Sequence, residues 1–248
     1  DVTKMNLFAC SAKREYDFVQ SRFGYPEGNV QLLGLCRFDN LLSPHQVKRQ
    51  ILIMPTMREW LRSVSSDTEL YEGHRDISKS EYVVTWNRLL NNPELHQLLD
   101  RENVDLVFFP HASMQKYVEM FTLKSKHIKV ASAKDYDVQQ LLMESAMLVT
   151  DYSSIYFDFA YMKKPLVYYQ FDYEKYRKGQ YQEGYFSYEN DGFGPVARTE
   201  SELLTALRNG IQNRFALDMK YEKRVDSFFA YHDTKNCERT FAAIQKMD

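Results

Sequence analysis

Residues 150–158, TDYSSIYFD, place an acid and two hydroxyls between an apolar run and a helical pattern. The start of a helix leaves backbone N–H groups without partners, and the helix dipole favours negative charge there. The hydroxyls of Ser153 and Ser154 add donors at this point, so the turn could hold a phosphate without a lysine. Simple N-capping by Asp151 or Ser153 is the alternative, and it accounts for one of these residues rather than all three.

Two arginines follow predicted strands, where their side chains could enter the same cleft. Arg37 stands in GLCRFDNL, after a strand and a glycine, and Arg58 stands in MPTMREW, after a strand that ends at Pro55 and Thr56. The planar guanidinium binds a diphosphate through two parallel hydrogen bonds. A surface ion pair with Asp39 is the alternative for Arg37, and a solvated side chain is the alternative for Arg58.

His111 follows the apolar strand pattern VDLVFFP directly. A histidine at the end of a strand can donate a hydrogen bond to a leaving phosphate or move a proton. A hydrogen-bonded structural histidine is the alternative, because histidine side chains are commonly part-buried.

Asp135 and Asp137 form an acid-x-acid pair, a spacing that can bind a divalent cation. The pair comes just before the helical pattern VQQLLMES, and we predict that it caps this helix instead. The sequence contains no Walker loop and no H-E-x-x-H, G-x-S-x-G or G-x-G-x-x-G motif. We therefore predict no metal-binding residues.

Short apolar runs alternate with helical patterns along the chain, and these elements must position the residues above. Strands are predicted at residues 5–11, 29–34, 50–56, 104–110, 127–132, 145–151 and 164–170. Helices are predicted at residues 12–24, 81–92, 93–102, 113–121, 137–145, 153–162, 200–213, 215–230 and 235–247. The polar segment from Met57 to Ser80 has no clear period and predicts a long loop.

This alternation predicts an α/β fold, a Rossmann-like parallel sheet with helices on both faces and a helical C-terminal end. Ligands of such sheets bind at the carboxyl ends of the strands. The predicted mouth of the site therefore lies near Ser11, Arg37, Thr56, His111, Ser132 and Asp151.

The composition is that of an ordinary globular protein, with 44% hydrophobic and 27% charged residues in 248. The net charge of -2 provides no global attraction to nucleic acid, so we predict no nucleic-acid partner. Cys10, Cys36 and Cys237 are far apart in sequence, which predicts neither a disulfide framework nor structural zinc and fits a reducing cytoplasm. No apolar run approaches the roughly 20 residues that span a bilayer.

The stretch LVTDYSSIYFDFAYMKKPLVYYQFDYEKY resembles the signature of the CDP-glycerol glycerophosphotransferase family, the teichoic-acid and capsule polymerases. GYFSYENDGFGPVARTESELLTAL resembles the glycine-aromatic, Gly-Pro and Thr-x-x-x-Leu elements that follow it in the family. GLCRFDNL and PTMRE resemble upstream arginine motifs, and FFAYHDTKNCERT resembles the closing segment. The resemblance runs through most of the chain in the family's order.

The resemblance implies the donor-binding half of a GT-B architecture, with residues 1–248 as one Rossmann-like domain. It also implies an upstream acceptor domain of the same protein, which carries a His-Gly pair. No histidine of this chain precedes a glycine, and the family's usual His-Pro is replaced by Pro110-His111-Ala112. The implied location is the cytoplasmic side of a bacterial membrane, with peripheral attachment beside a lipid-linked polymer acceptor.

The implied reaction is attack by an acceptor hydroxyl on the β-phosphorus of CDP-glycerol or a related CDP-alditol, with release of CMP. No tightly bound cofactor is expected, and the need for a divalent metal is left open. The expected catalytic residues are His111 and Arg58; the expected substrate-binding residues are Arg37, Thr56, Thr150, Ser153 and Ser154; Asp151 and Asp158 are expected to support the site. The alternatives are a GT-B glycosyltransferase that uses a nucleotide sugar and a non-catalytic nucleotide-binding domain.

Overall fold

The computed structural model describes residues 5–62, 77–121, 123–179 and 184–247. The strands are β1 (Phe8–Cys10), β2 (Val30–Leu32), β3 (Lys48–Met54), β4 (Asp105–Phe108), β5 (Ile128–Val130), β6 (Ser145–Thr150), β7 (Leu166–Tyr169) and β8 (Val196–Ala197). The helices are α1 (Lys13–Arg22), α2 (Phe38–Leu41), α3 (Glu59–Arg62), α4 (Glu81–Leu90), α5 (Pro93–Glu102), α6 (Val138–Glu144), α7 (Ile155–Tyr161), α8 (Tyr173–Gly179), α9 (Glu200–Gln212), α10 (Met219–Phe228) and α11 (Asn236–Ile244). Ile77–Lys79 and Ala112–Met120 form 3₁₀ helices.

The main sheet is parallel, and its strand order is β5-β4-β3-β6-β7-β8. From β3 the chain builds outward through β4 to β5, and it then returns to the other side of β3 to build β6, β7 and β8. The order of connection therefore reverses between β3 and β6. In parallel α/β sheets this reversal opens a crevice at the carboxyl ends of the strands.

Side chains that alternate along each strand enter two separate cores, one on each face of the main sheet. Ile51 and Ile53 of β3 pack with residues of α4, α5 and α9, whereas Leu52 packs with residues of α2, α6, α7 and α10. Strands buried on both faces are nearly continuous apolar runs, as ILIM of β3 and LVYY of β7 show. The predicted α/β class, with helices on both faces of a parallel sheet, is confirmed.

The first two strands do not join the main sheet. β1 and β2 pair in parallel with each other and enclose a small core of Cys10, Val19 and Val30. Ser11 and Arg37, which we expected at the mouth of the main sheet, follow strands of this second sheet. The apolar pattern identifies a strand but not its neighbours, so the sequence could not show this separation.

All seven predicted strands are present, although several are shorter than their apolar runs. The helical pattern at 113–121 is a 3₁₀ helix, and the sequence reasoning missed β8 and the short helices α2, α3 and α8. Within the predicted loop from Met57 to Ser80, α3 and a 3₁₀ turn stand at the two ends, and residues 63–76 lie outside the described residues. Of the helices described, none is long and apolar enough to cross a membrane.

Candidate functional site

The carboxyl ends of β4, β3 and β6 lie side by side, and predicted site residues follow all three strands. His111 follows β4, Thr56 follows β3, and Asp151 follows β6. The order of connection reverses between β3 and β6, so the crevice lies between the ends of these two strands. The fold thus brings to one edge residues that are distant in sequence.

Asp151 ties the turn after β6 to the turn after β3. Its Oδ1 accepts hydrogen bonds from the backbone N–H of Thr56 at 2.8 Å and of Tyr152 at 2.6 Å. Its Oδ2 lies 2.8 Å from Nη1 of Arg58, and its carbonyl accepts from the Gln170 side chain at 3.2 Å. The Asp151 side chain is fully buried, so its charge is directed into the protein.

Arg58 is also fully buried, and the solvated alternative for this residue is wrong. Its Nε and Nη2 donate to the two carboxylate oxygens of Asp172 at 2.6 and 3.1 Å, and its Nη1 donates to the Thr56 carbonyl at 2.6 Å. Burial alone would lower the pKa of Arg58, but Asp151 and Asp172 outweigh it and raise this pKa. The catalytic role of Arg58 stays a prediction, and this geometry favours action through the turns over contact with substrate.

Asp172 completes this cluster, and our sequence reasoning did not include it among the site residues. It also accepts a hydrogen bond from the Tyr152 hydroxyl at 3.2 Å. Burial, followed by the nearby charge of Asp172, raises the pKa of Tyr152, so this hydroxyl keeps its proton. The Tyr152 ring stacks on Tyr176 with centroids 3.6 Å apart and an interplanar angle of 6°. The signal in the sequence was an acid just after the apolar strand LVYY.

The two threonines of the predicted site lie close to the same turns. The Thr150 hydroxyl donates to the Met54 carbonyl at 2.7 Å, and the residue is fully buried. Thr150 therefore holds β6 against β3, and its predicted contact with substrate has no support in this geometry. The Thr56 Oγ1 is buried and has no hydrogen-bond partner among the described residues.

Ser153 and Ser154 lie between the end of β6 and the start of α7. Ser153 is half-buried, and its Oγ accepts a long hydrogen bond of 3.4 Å from the Ile155 N–H. Ser154 is exposed and is the N-cap residue of α7, but its side chain makes no capping hydrogen bond. The Ser153 contact agrees with the capping alternative for that residue, but capping explains neither Ser154 nor Asp151, whose carboxylate is directed elsewhere.

Arg37 pairs with Asp158 of α7 and not with Asp39, so the alternative ion pair is wrong. Arg37 Nε and Nη2 donate to the two Asp158 oxygens at 2.6 and 2.9 Å. This hydrogen bonding is the largest cause of the raised pKa of Arg37. The Asp158 side chain is buried, whereas 49% of the Arg37 side chain is exposed. Arg37 therefore keeps a solvent-facing surface next to α7.

Asp39 holds the start of α11. Its Oδ1 accepts from the Asn236 N–H at 2.9 Å and from the Asn236 side chain at 2.6 Å, and its Oδ2 accepts from the Cys237 N–H at 2.8 Å. Although desolvation acts the other way, these bonds lower the pKa of Asp39. Gly34 has φ +76°, and a Cβ built there would overlap Asn236 Oδ1. The motif GLCRFDNL thus binds both α7 and α11.

The closing segment packs on the end of α7. The Tyr161 hydroxyl donates to the Asp233 carbonyl at 2.7 Å and accepts from the Asp233 N–H at 2.9 Å. His232 Nε2 lies 2.6 Å from the Tyr161 carbonyl, and Arg239 binds both Asp233 carboxylate oxygens at 2.8 and 2.9 Å. This segment, which resembled the family's closing motif, anchors the C-terminal helix.

His111 is half-buried and caps the 3₁₀ helix that follows it. Its Nδ1 accepts a hydrogen bond from the Ser113 N–H at 3.2 Å, so this nitrogen carries no proton in that contact. The capping contact agrees with the structural alternative, and the role of His111 in catalysis stays a prediction.

One member of the acid-x-acid pair has the capping role that its position predicted. Asp137 is the N-cap of α6, and its Oδ1 accepts from the Gln140 N–H at 2.8 Å. The helix cap accounts for this acid without a metal ion.

The chain matches the family model described as CDP-Glycerol:Poly(glycerophosphate) glycerophosphotransferase over residues 2–246. Over an alignment 251 residues long, it is 34% identical to the minor teichoic acid biosynthesis protein GgaB of Bacillus subtilis (strain 168). That alignment covers 98% of this chain but only 27% of GgaB, so the chain spans about a quarter of this relative.

Solved structures of the wall teichoic acid polymerase TagF have the same fold. One matches with a TM-score of 0.66 and 18% identity, over 98% of this chain and 59% of the TagF chain. A TagF variant soaked with CDPG matches with a TM-score of 0.63 and 19% identity, over 97% of this chain and 56% of that chain. Fold, motif order and family model agree, and the chain belongs to the CDP-glycerol:poly(glycerophosphate) glycerophosphotransferase family.

Proposed function

We propose that this chain forms the donor site of an enzyme that transfers glycerol phosphate, or a related alditol phosphate, from a CDP-linked donor. The acceptor is the hydroxyl end of a teichoic acid or capsule polymer, and CMP is released. The observation that carries the proposal is the family match over residues 2–246. The TagF variant soaked with CDPG, which shares the fold, supports the same donor class.

The diphosphate of the donor would lie at the turn after β6. The exposed Ser154 and half-buried Ser153 supply hydroxyls and backbone N–H groups at the crevice edge. Asp151 would not repel the phosphates, because its carboxylate is buried against Thr56, Tyr152 and Arg58. The turn can therefore bind an anion although it contains an acid.

Phosphoryl transfer depends on in-line positioning and on stabilisation of charge more than on covalent chemistry. Arg37 would contribute a solvent-facing positive charge beside α7, and His111 would donate to the leaving CMP through its second ring nitrogen. Arg58 would keep the turns after β3 and β6 at a fixed separation, since it binds Thr56 and Asp151 at once.

The acceptor side is proposed from the family alone. GgaB and TagF are named for teichoic acid synthesis, which supports a lipid-linked polymer acceptor on the inner face of a bacterial membrane. An upstream domain of the same protein would supply the group that deprotonates the acceptor hydroxyl, because the family's His-Gly pair is not in this sequence.

Binding of nucleotides by the purified chain tests the proposal directly. Isothermal titration should detect CDP-glycerol and CDP, with UDP bound at least tenfold more weakly. Binding is measured before turnover because the acceptor-side residues are expected outside this chain. A preference for UDP would favour a nucleotide-sugar glycosyltransferase, and failure to bind any cytidine nucleotide would favour a non-catalytic domain.

A further inference from the structure

Cys36 and Cys237 are separated by 201 residues in sequence but lie against each other in the fold. The Cys237 Sγ is 3.6 Å from the Cys36 carbonyl oxygen. Since a carbonyl oxygen lies about 2.4 Å from its own Cα, Cys237 Sγ is within about 6 Å of the Cys36 Cα. A disulfide requires Cα atoms roughly 4.4–6.8 Å apart, and the Cys237 sulfur already lies beside the Cys36 backbone.

The position of both residues is fixed by the contacts around them. Asp39 binds the Cys237 N–H at 2.8 Å, and Asn236 is fully buried against Gly34. Both thiols are nevertheless exposed, whereas Cys10 is buried. A small oxidant can therefore reach both residues of the pair.

We propose that Cys36 and Cys237 are an oxidation site at which a peroxide closes a disulfide between the segment just before α2 and the first turn of α11. One thiolate attacks a peroxide oxygen, which gives a sulfenic acid and one water after protonation. The second thiol attacks the sulfenic sulfur, the S–S bond forms, and a second water leaves. Two thiols lose two electrons and two protons in total, and the peroxide is reduced to two waters.

The two cysteines have different parts in this sequence. A hydrogen bond to Asp39, burial and the neighbouring Cys36 thiol raise the pKa of Cys237 to about 11. Cys237 therefore keeps its proton near neutral pH, which assigns the first attack to Cys36 and the resolving step to Cys237. The disulfide would join α11 covalently to the residue next to Arg37, whose side chain binds Asp158 of α7.

The test is peptide mapping of the purified chain after a stoichiometric dose of hydrogen peroxide. Trypsin separates residues 23–37 from residues 236–239, which carry the two cysteines, and residues 5–13, which carry Cys10. We expect a crosslink between the first two peptides that dithiothreitol reverses, with Cys10 still reduced. Separate sulfinic acids at Cys36 and Cys237, or unmodified thiols, would overturn the proposal.

Three variants give the matched controls. Cys36→Ser should abolish the crosslink and leave Cys237 largely unoxidised, whereas Cys237→Ser should trap a sulfenic acid on Cys36 that dimedone labels. Equal dimedone labelling of Cys237 in the first variant would refute the assigned order. Cys10→Ala should keep the full crosslink. The oxidised wild-type chain should melt at a higher temperature than the reduced chain, and a lower melting temperature would contradict a disulfide that fits the folded positions of the two cysteines. None of these results depends on the proposed transferase activity.

Discussion

Arg58 and Asp172 form a buried bidentate ion pair, with Nε–Oδ2 and Nη2–Oδ1 distances of 2.6 and 3.1 Å. The pair joins the turn after β3 to the segment after β7, and Asp151 brings the turn after β6 to the same guanidinium. One cation therefore organises three strand ends at the proposed donor site. Removal of one partner from a buried pair is costly because the remaining charge stays desolvated.

Arg58→Met should lower the free energy of unfolding by about 3–5 kcal/mol, because Asp151 and Asp172 lose their cation inside the protein. Urea unfolding measures this loss. Arg88→Met is the matched control, since Arg88 is 62% exposed in its pair with Glu200 and should cost about 0–1 kcal/mol. Equal losses in the two variants would contradict the structural role given to Arg58.

Gly34→Ala should destabilise the chain much more than Gly28→Ala. Both glycines have positive φ, +76° and +85°, but only Gly34 has a neighbour, Asn236, that an added Cβ would overlap. Gly28→Ala should cost about 1–2 kcal/mol for the left-handed backbone alone. Gly34→Ala should cost about 1–3 kcal/mol more, and Asn236→Ala in the same chain should recover part of this difference in urea unfolding. Equal losses of stability for the two glycine variants would show that a Cβ at Gly34 does not clash with Asn236.

Ser154→Ala and Thr150→Val should separate ligand binding from stability. Ser154 is exposed, so its loss should change stability by less than about 0.5 kcal/mol but weaken CDP-glycerol binding by roughly tenfold. Thr150→Val leaves the Met54 carbonyl without its donor, so it should cost about 1–3 kcal/mol of stability and preserve affinity. Titration calorimetry and urea unfolding on both variants check the pair. Unchanged affinity in Ser154→Ala together with weakened affinity in Thr150→Val would contradict a phosphate site at the TDYSS turn.

The sequence was sufficient for seven of the eight described strands and for the edge of the sheet where the candidate site lies. Apolar runs such as ILIM and LVYY are bounded by polar residues and prolines, so their type and approximate ends were readable. The carboxyl-end rule then placed Thr56, His111 and Asp151 together without knowledge of the strand order. The fold supplied the order, and with it the crevice between β3 and β6.

The sequence was not sufficient for the pairings between distant side chains. Arg37 finds Asp158 across 121 residues, although Asp39 is nearer in sequence, because α2 packs on α7. Asp39 instead accepts a hydrogen bond from the Cys237 N–H at the start of α11. The Cys237 thiol contacts the Cys36 carbonyl at the same place. Such partners depend on how helices pack, and no local pattern in a single sequence records that packing.

Lys164 lies at the opposite edge of the sheet from the site, where β6 begins. Its Nζ donates to the carbonyls of Leu142 and Ser145 at 3.3 and 3.1 Å and to the Met143 carbonyl. Burial lowers the pKa of Lys164 from 10.5 to about 8. Protonation of this amine therefore places a desolvated charge in the folded chain, which lowers its stability.

Wild-type stability relative to Lys164→Met should rise as the pH increases from about 8 to 10.5, and it should be constant below that window. Within the window the unfolded chain holds a proton that the folded chain has released, and stability rises with pH wherever the unfolded state binds more protons. Urea unfolding of both chains at a series of pH values measures the difference, in which the ionisation of buried tyrosines cancels.

Lys163→Met is the control. Hydrogen bonding to Asp226 raises the pKa of Lys163, so the contribution of Lys163 to stability should stay constant through the window and fall only at higher pH. A Lys164 difference that stays flat or falls between pH 8 and 10.5 would show that the amine is not desolvated in the folded chain.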